Sequence, residues 1–173
     1  MPSLKNNKKD FFFLNRRDPG DVVSTVAELC AARLPGKMGF QTADIQVITP
    51  TRQGFSGVYA LNPILRDLLN PPSPSKKEKA FGNTVFREGD RVMQIKNNYD
   101  IVWNREEGEA ESAGTGVFNG DMGVIKKINP LSETVTVEFV DKSCDYSFDM
   151  LGELEHAYAI TVHKAQGSEF RAV

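Results

Sequence analysis

The sequence predicts an α/β protein, a partial parallel-sheet unit that carries a small all-β insertion. Three observations lead there. Two short apolar runs, 44–49 and 157–162, carry threonines at their ends and lead into polar, glycine-bearing segments. Buried parallel strands look like this, and open α/β sheets bind their ligands at such C-terminal tips. Helix-spaced apolar residues fill the first third of the chain, and from Phe86 the periodicity switches to two.

In chain order, residues 1–10 are polar and lysine-bearing and read as a disordered lead-in. Phe11-Phe12-Phe13-Leu14 reads as an edge or buried strand. Asp18-Pro19 supplies an N-cap with proline at the first helical position. Val22, Val23, Val26, Leu29, Cys30 and Leu34 then recur at spacings of three and four, an apolar stripe expected to pack on a sheet until Pro35-Gly36 stops the helix.

Asp44–Thr49 is the next strand, Pro50-Thr51-Arg52-Gln53-Gly54 its tip, and 57–69 a second helix. A β-α-β-α order predicts parallel strands with right-handed crossovers, which puts Arg52 on the same edge as Thr161. Arginine suits phosphate because its planar fork donates two parallel hydrogen bonds and stays charged. A solvated loop charge is the alternative for Arg52.

The proline- and serine-rich break at 70–77 marks a loop or border. Beyond it, Gly89–Ile95, Gly123–Ile125 and Thr134–Phe139 read as short antiparallel strands. Asn119-Gly120 is a hairpin signal, and Asn129-Pro130 begins another turn. The acidic, glycine-bearing stretch 105–116 reads as a mobile loop. Tyr99 and Trp103 flank it, placed either to stack on bases or to pack beneath the loop.

After Thr161, a helix would put His163, Gln166 and Glu169 on one face near its N-terminus. Gly167 within that turn argues for close backbone approach by a ligand, or for a loop. A surface or satisfied histidine is the ordinary alternative for His163.

A chain of 173 residues that is 40% hydrophobic can bury a substantial core as one domain with a small insertion. Its net charge of −2 excludes a polybasic surface, so any contact with nucleic acid is local. Two distant cysteines, Cys30 and Cys144, suggest neither a disulfide framework nor a zinc site. No 18-residue apolar segment exists, so the expected location is cytoplasmic, without membrane contact.

The run Ala-Tyr-Ala-Ile-Thr-Val-His-Lys-Ala-Gln-Gly-Ser-Glu-Phe, 157–170, closely resembles motif V of superfamily 1 DNA helicases, especially the RecD-like, 5′-to-3′ branch that includes the exodeoxyribonuclease V alpha chain family. Ile-Thr-Pro-Thr-Arg-Gln-Gly, with Gly57 and Leu61-Asn62 downstream, resembles motif IV of the same helicases. Gly-Asp-Arg-Val-Met-Gln-Ile-Lys-Asn-Asn-Tyr and Val-Phe-Asn-Gly-Asp-Met-Gly-Val-Ile resemble the Src-homology-3-like (SH3-like) barrel inserted in their second motor domain.

The resemblance implies an incomplete second RecA-like motor domain over 11–85 and 155–173, with the SH3-like barrel over 86–154. It also implies site roles. Arg52, Gln166, Gly167 and Glu169 would face the nucleotide, Glu169 towards the ribose or a partner of the triphosphate. Thr49, Thr161 and His163 would face DNA phosphate. ATP and Mg²⁺ would serve the complete enzyme. Partners would be single-stranded DNA, the first motor domain of the same polypeptide, and recombination or repair subunits.

Phosphoryl transfer in such motors needs a glycine-rich loop ending in Gly-Lys-Ser/Thr and an acidic Mg²⁺ ligand. The one Gly-Lys pair, Gly36-Lys37, is followed by Met38, and the arginine-bearing motif VI is expected beyond Val173. The chain by itself is therefore expected to hold no catalytic residue, to bind no cofactor and to be inactive. The competing class is a non-enzymatic module whose barrel binds nucleic acid or a peptide through exposed aromatics such as Tyr99, Trp103 and Phe118.

Overall fold

The computed structural model describes residues 11–105 and 113–173. The lead-in 1–10 and most of the acidic stretch, 106–112, lie outside those residues.

Asp18 caps the first helix as its residue type dictates, its Oδ1 accepting the backbone N–H groups of Gly20 at 2.8 Å and Asp21 at 3.2 Å. Helix α1 (Pro19–Glu28) does not stop at Pro35-Gly36. It continues through a π-helical turn, Leu29–Arg33, into α2 (Leu34–Met38). In that turn the Leu34 N–H reaches back five residues to Leu29 O. A proline inside a helix lacks a donor and clashes with the carbonyl four residues earlier; the wider turn just before Pro35 accommodates both defects. Of the predicted stripe only Cys30 is fully buried, the others lying half-buried along the rim of the core. Phe11–Leu14 forms no strand and is exposed.

Strand β1 (Val47–Thr49) lies parallel to the late strand β11 (Ala159–Thr161), with Thr49 opposite Thr161. On the other side of this region, Ile45 and Ala172 form a parallel bridge. The predicted strand is shorter than 44–49, since 42–44 winds as a 3₁₀ turn. Helix α3 (Val58–Leu69) covers the pair, burying Val58, Leu61 and Leu65. Its Asn62 clamps β11: the amide oxygen accepts the Ala159 N–H at 2.7 Å, while the amide nitrogen donates to His156 O at 2.8 Å and Ala159 O at 3.1 Å.

Between 78 and 156 the described residues are strands and turns, with one 3₁₀ helix at Phe148–Glu153. A hairpin, β2 (Glu78–Phe81) and β3 (Thr84–Arg87), precedes β4 (Arg91–Gln94), β5 (Asn98–Asn104), β6 (Ala113–Val117), β7 (Met122–Asn129), β8 (Thr134–Phe139), β9 (Ser143–Ser147) and β10 (Leu154–His156). Their sheet runs β10-β4-β7-β8-β9-β5-β6, antiparallel throughout. Every one of these strands sends side chains into a single core, so the sheet wraps around it. Val135, Val137 and Phe139 face inward at period two, as their alternation predicts.

Two expectations change here. The stretch ending the predicted loop is strand β6, and its Gly114 is required because a Cβ there would stand 2.4 Å from the Trp103 ring. Trp103 therefore packs against the core and under Arg105, whose guanidinium lies 4.9 Å from the ring centroid. The Asn119-Gly120 turn joins β6 to β7, which are not neighbours, so it is not a hairpin. Asp121 fixes this turn by accepting the Phe118 N–H at 3.0 Å. The turn after Asn129 does close a hairpin, between β7 and β8.

One buried carboxylate joins the helix layer to the β-structure. Asp90 is fully buried, and its oxygens accept hydrogen bonds from Arg66 Nε (2.9 Å), Asn70 Nδ2 (2.7 Å), Arg87 N (2.7 Å), Tyr158 OH (3.0 Å) and His156 Nε2 (3.1 Å). Burial alone would raise the Asp90 pKa, but the contacts from His156, Asn70 and Arg66 outweigh it and hold the carboxyl below its ordinary value of 3.8. The folded pKa is depressed, so this contribution is complete above 3.8 and fades as the pH falls through the folded value. We expect Asp90→Ala to destabilise by about 3–5 kcal/mol in urea unfolding at pH 7, because Arg66 and His156 lose their shared partner. The deficit relative to the parent should shrink as the pH is lowered below 3.8. An unchanged midpoint would contradict this account.

Candidate functional site at the parallel strand tips

The parallel pairing of Thr49 with Thr161 brings the segments following both strands to one edge of the sheet. Thr49 itself is buried and committed, its hydroxyl donating to Ser56 O at 2.8 Å, which folds 50–57 back over the strand end. Thr161 is half-buried at the tip. It lines a small cleft together with Arg52, Glu155, His156 and Lys164.

Arg52 is the best-held cation of this edge. Its Nη2 donates to both carboxylate oxygens of Glu155, at 2.5 and 2.7 Å, and its Nε donates to Tyr59 OH at 3.0 Å. The guanidinium also lies over the Tyr59 ring, 5.1 Å from its centroid. Arg52 is 43% exposed and Glu155 32% exposed at the side chain. A pair so solvated contributes only about 0–1 kcal/mol. It therefore orients the fork without locking it.

After Thr161 the chain makes a single helical turn, α4 (Val162–Ala165), closed by Ser168 N donating to Ala165 O at 3.0 Å. The predicted common face of His163, Gln166 and Glu169 does not form. Gln166 is already extended, with a ψ of 124°, and Gly167 follows at a φ of +84°, so the helix ends at Ala165. All three side chains are exposed, and none is recorded with a hydrogen-bond partner among the described residues. Arg52 and Thr161 line the cleft, whereas His163, Gln166, Gly167 and Glu169 are not among its lining residues and lie in the exposed segment that follows Thr161.

Three neighbours of the cleft escaped sequence reasoning. Glu155 is 103 residues from Arg52 in sequence, and nothing local marks it. Tyr59 is the second residue of α3, where an aromatic reads as ordinary helix surface. Lys164 hydrogen-bonds Asn119 of the β6–β7 turn, tying α4 to the wrapped sheet. Beside that tie, Tyr99 is 64% exposed and meets Phe118 edge-on at 5.6 Å. Elsewhere, Lys126 is held by Glu138 at 2.5 Å, and Arg16 donates to Thr25 at 3.0 Å.

Cys30 and Cys144 are free and buried, and burial pushes the Cys144 thiol up to about 11. Among the described residues no helix is long and apolar enough to cross a membrane.

Residues 61–139 match the family model described as the ATP-dependent RecD-like DNA helicase SH3 domain. The chain is 34% identical over 129 residues to the ATP-dependent RecD2 DNA helicase of Deinococcus radiodurans, covering 75% of this chain and 15% of that protein. It is 26% identical over 131 residues to the RecBCD enzyme subunit RecD of Buchnera aphidicola, covering 74% of this chain and 19% of that one. An uncharacterized protein of Methanocaldococcus jannaschii matches at 34% over 141 residues, covering 75% of this chain and 12% of the relative. The chain therefore spans less than a fifth of each of these relatives.

Replacing Gly167 by alanine puts a Cβ into open space but at a φ that L-residues avoid, so the cost is conformational, about 1–2 kcal/mol. We expect Gly167→Ala to speed amide exchange across 162–168 while the unfolding midpoint of the β-structure stays put. Unchanged exchange in that turn would show that its left-handed geometry does not matter.

Proposed function

From the premise that this chain belongs to the RecD-like DNA helicases, we propose that it forms part of an ATP-dependent 5′-to-3′ motor, its two strand tips supplying half of the nucleotide cleft and a stretch of the single-stranded DNA track. The observation that carries this reading is the register of β1 against β11, which sets the Arg52 loop beside the turn that follows Thr161. In this reading 11–85 and 155–173 belong to a second RecA-like motor domain, and the β-structure between them is its SH3-like insertion.

Arg52 is the phosphate ligand, since a fork already held by a carboxylate is shaped for phosphoryl oxygens. Gln166, Gly167 and Glu169 face the nucleotide from the segment that follows Thr161. Thr161 and His163 hold DNA phosphate. Thr49 acts through the shape of the tip, because its hydroxyl is already donated to Ser56. ATP with Mg²⁺ would be the complete enzyme's fuel. Among the described residues no group of three or more His, Cys, Asp or Glu side chains is arranged for an ion, and we assign the metal's ligands to the triphosphate and to other parts of the polypeptide. When bound, the metal would offset charge on the phosphates; this chain's residues orient and sense them.

Single-stranded DNA, a first motor domain and recombination or repair subunits are the partners this reading implies. The exposed Tyr99–Phe118 pair, tied to α4 through Asn119 and Lys164, offers a stacking surface next to the tip. It fits an SH3-like insertion that steadies the strand.

The test uses the full-length polypeptide. Arg52→Ala should lower DNA-stimulated ATP turnover on the order of 10²-fold, the usual effect of losing one preorganised donor. Glu169→Ala should also lower turnover. His163→Ala should instead weaken single-stranded DNA binding, measured by anisotropy, and leave turnover at saturating DNA close to the parent's. The 173-residue chain alone should show no DNA-stimulated ATPase. Equal losses from all three variants that track their melting temperatures would defeat the assignment.

A further inference from the structure

The anion that holds Arg52 belongs to the wrapped sheet. Glu155 is the middle residue of β10, paired with Met93 of β4, and the next residue, His156, is bonded to the buried Asp90. The contact therefore links the loop after β1 to the strand that is anchored at the joint between the two layers. We propose that Glu155 is a resident phosphate mimic: it occupies the guanidinium of Arg52 until a phosphate group displaces it, so that phosphate binding and the Arg52 tie to β10 exclude one another. This rests on the reading of Arg52 as a phosphate ligand given above, and adds to it a regulator of the same site.

Chemistry and burial both favour such an exchange. Carboxylate and phosphate both present acceptor oxygens to a guanidinium, so Nη2, which alone holds both Glu155 oxygens, can pass from one to the other. The Arg52–Glu155 pair is solvated at both ends, whereas the neighbouring Asp90 is fully buried with at least five donors. A polyanion can thus compete for the first contact and not for the second. Tyr59 holds Arg52 Nε throughout, which keeps the side chain in place while its outer nitrogen changes partner. By reciprocity, phosphate would loosen the loop from β10 by the same factor by which Glu155 weakens phosphate binding.

Tripolyphosphate is the probe, titrated into the 173-residue chain while the arginine Nε–H signals are followed by NMR. Glu155→Gln should bind it about fivefold more tightly, the effect of removing one unit charge a few ångströms away in near-aqueous surroundings. Glu155→Ala repeats the measurement without an amide oxygen that could imitate the carboxylate. Asp149→Asn, which removes an exposed carboxylate of the 3₁₀ helix Phe148–Glu153, should change the affinity much less. In the Arg52→Ala background the gain from Glu155→Gln should vanish.

If Arg52→Ala weakens binding but neither Glu155 variant tightens it, the gate is wrong and Arg52 remains a phosphate ligand. The same conclusion follows if Asp149→Asn gives an equal gain. If Arg52→Ala changes nothing in either background, or no form responds to tripolyphosphate, the phosphate reading falls and the gate falls with it.

Discussion

A carboxylate removed from water is tolerable only when its lone pairs are filled, and Asp90 satisfies that condition by drawing in residues from α3 and its C-cap, the end of β3, β10 and the approach to β11. Desolvating a charge is costly, and the compensation comes only if all donors arrive together. The group therefore acts less as a source of net stability than as a requirement that helix layer and wrapped sheet meet in one arrangement. Arg87 extends this joint, its guanidinium reaching Asn70 O at 2.5 Å and Glu78 at 2.6 Å. Asn62 extends it on the other side by satisfying both backbone groups of Ala159.

Rigidity at that joint positions the strand tips. Tyr158 donates to Asp90 just before β11 begins, and β11 then runs beside β1 for three residues. Behind the tips, Met93, Ala157 and Ile160 form a small apolar cluster in which Ile48, Ala165 and Phe170 take part. The loops that follow can be exposed and polar because the strands beneath them are fixed at their other ends. Segments that bind ligands are commonly drawn from such weakly held parts of a rigid frame.

What could be read from the sequence divides along the same line. The Val22–Leu34 stripe, the strand around Val47 and Ile48, the α3 helix and the alternation of Val135, Val137 and Phe139 are local patterns, and local geometry decides them. The parallel pairing of the tips followed from element order. Pro35-Gly36 misled because a wider helical turn upstream absorbs a proline that propensity alone would treat as a stop. β6 was hidden by its glycines, Gly114 being required by the Trp103 ring and Gly116 by its φ of +102°. The shared face of His163, Gln166 and Glu169 failed where the backbone becomes extended at Gln166 and left-handed at Gly167. Glu155 and Asp90 carry no local signal at all, since each takes its meaning from partners distant in the chain.

The two carboxylates stand close along the structure yet differ in kind. Asp90 sits where water cannot replace a lost partner, so losing any one of its contacts is costly. Glu155, one residue from His156, sits where water and ions can replace it, so its contact with Arg52 is conditional. One residue of β10 therefore anchors the wrapped sheet to the helix layer, and its neighbour reports what lies at the strand tips. A change at the tips can alter what holds the loop after β1 without disturbing the joint, because the energy at stake is small at one position and large at the next.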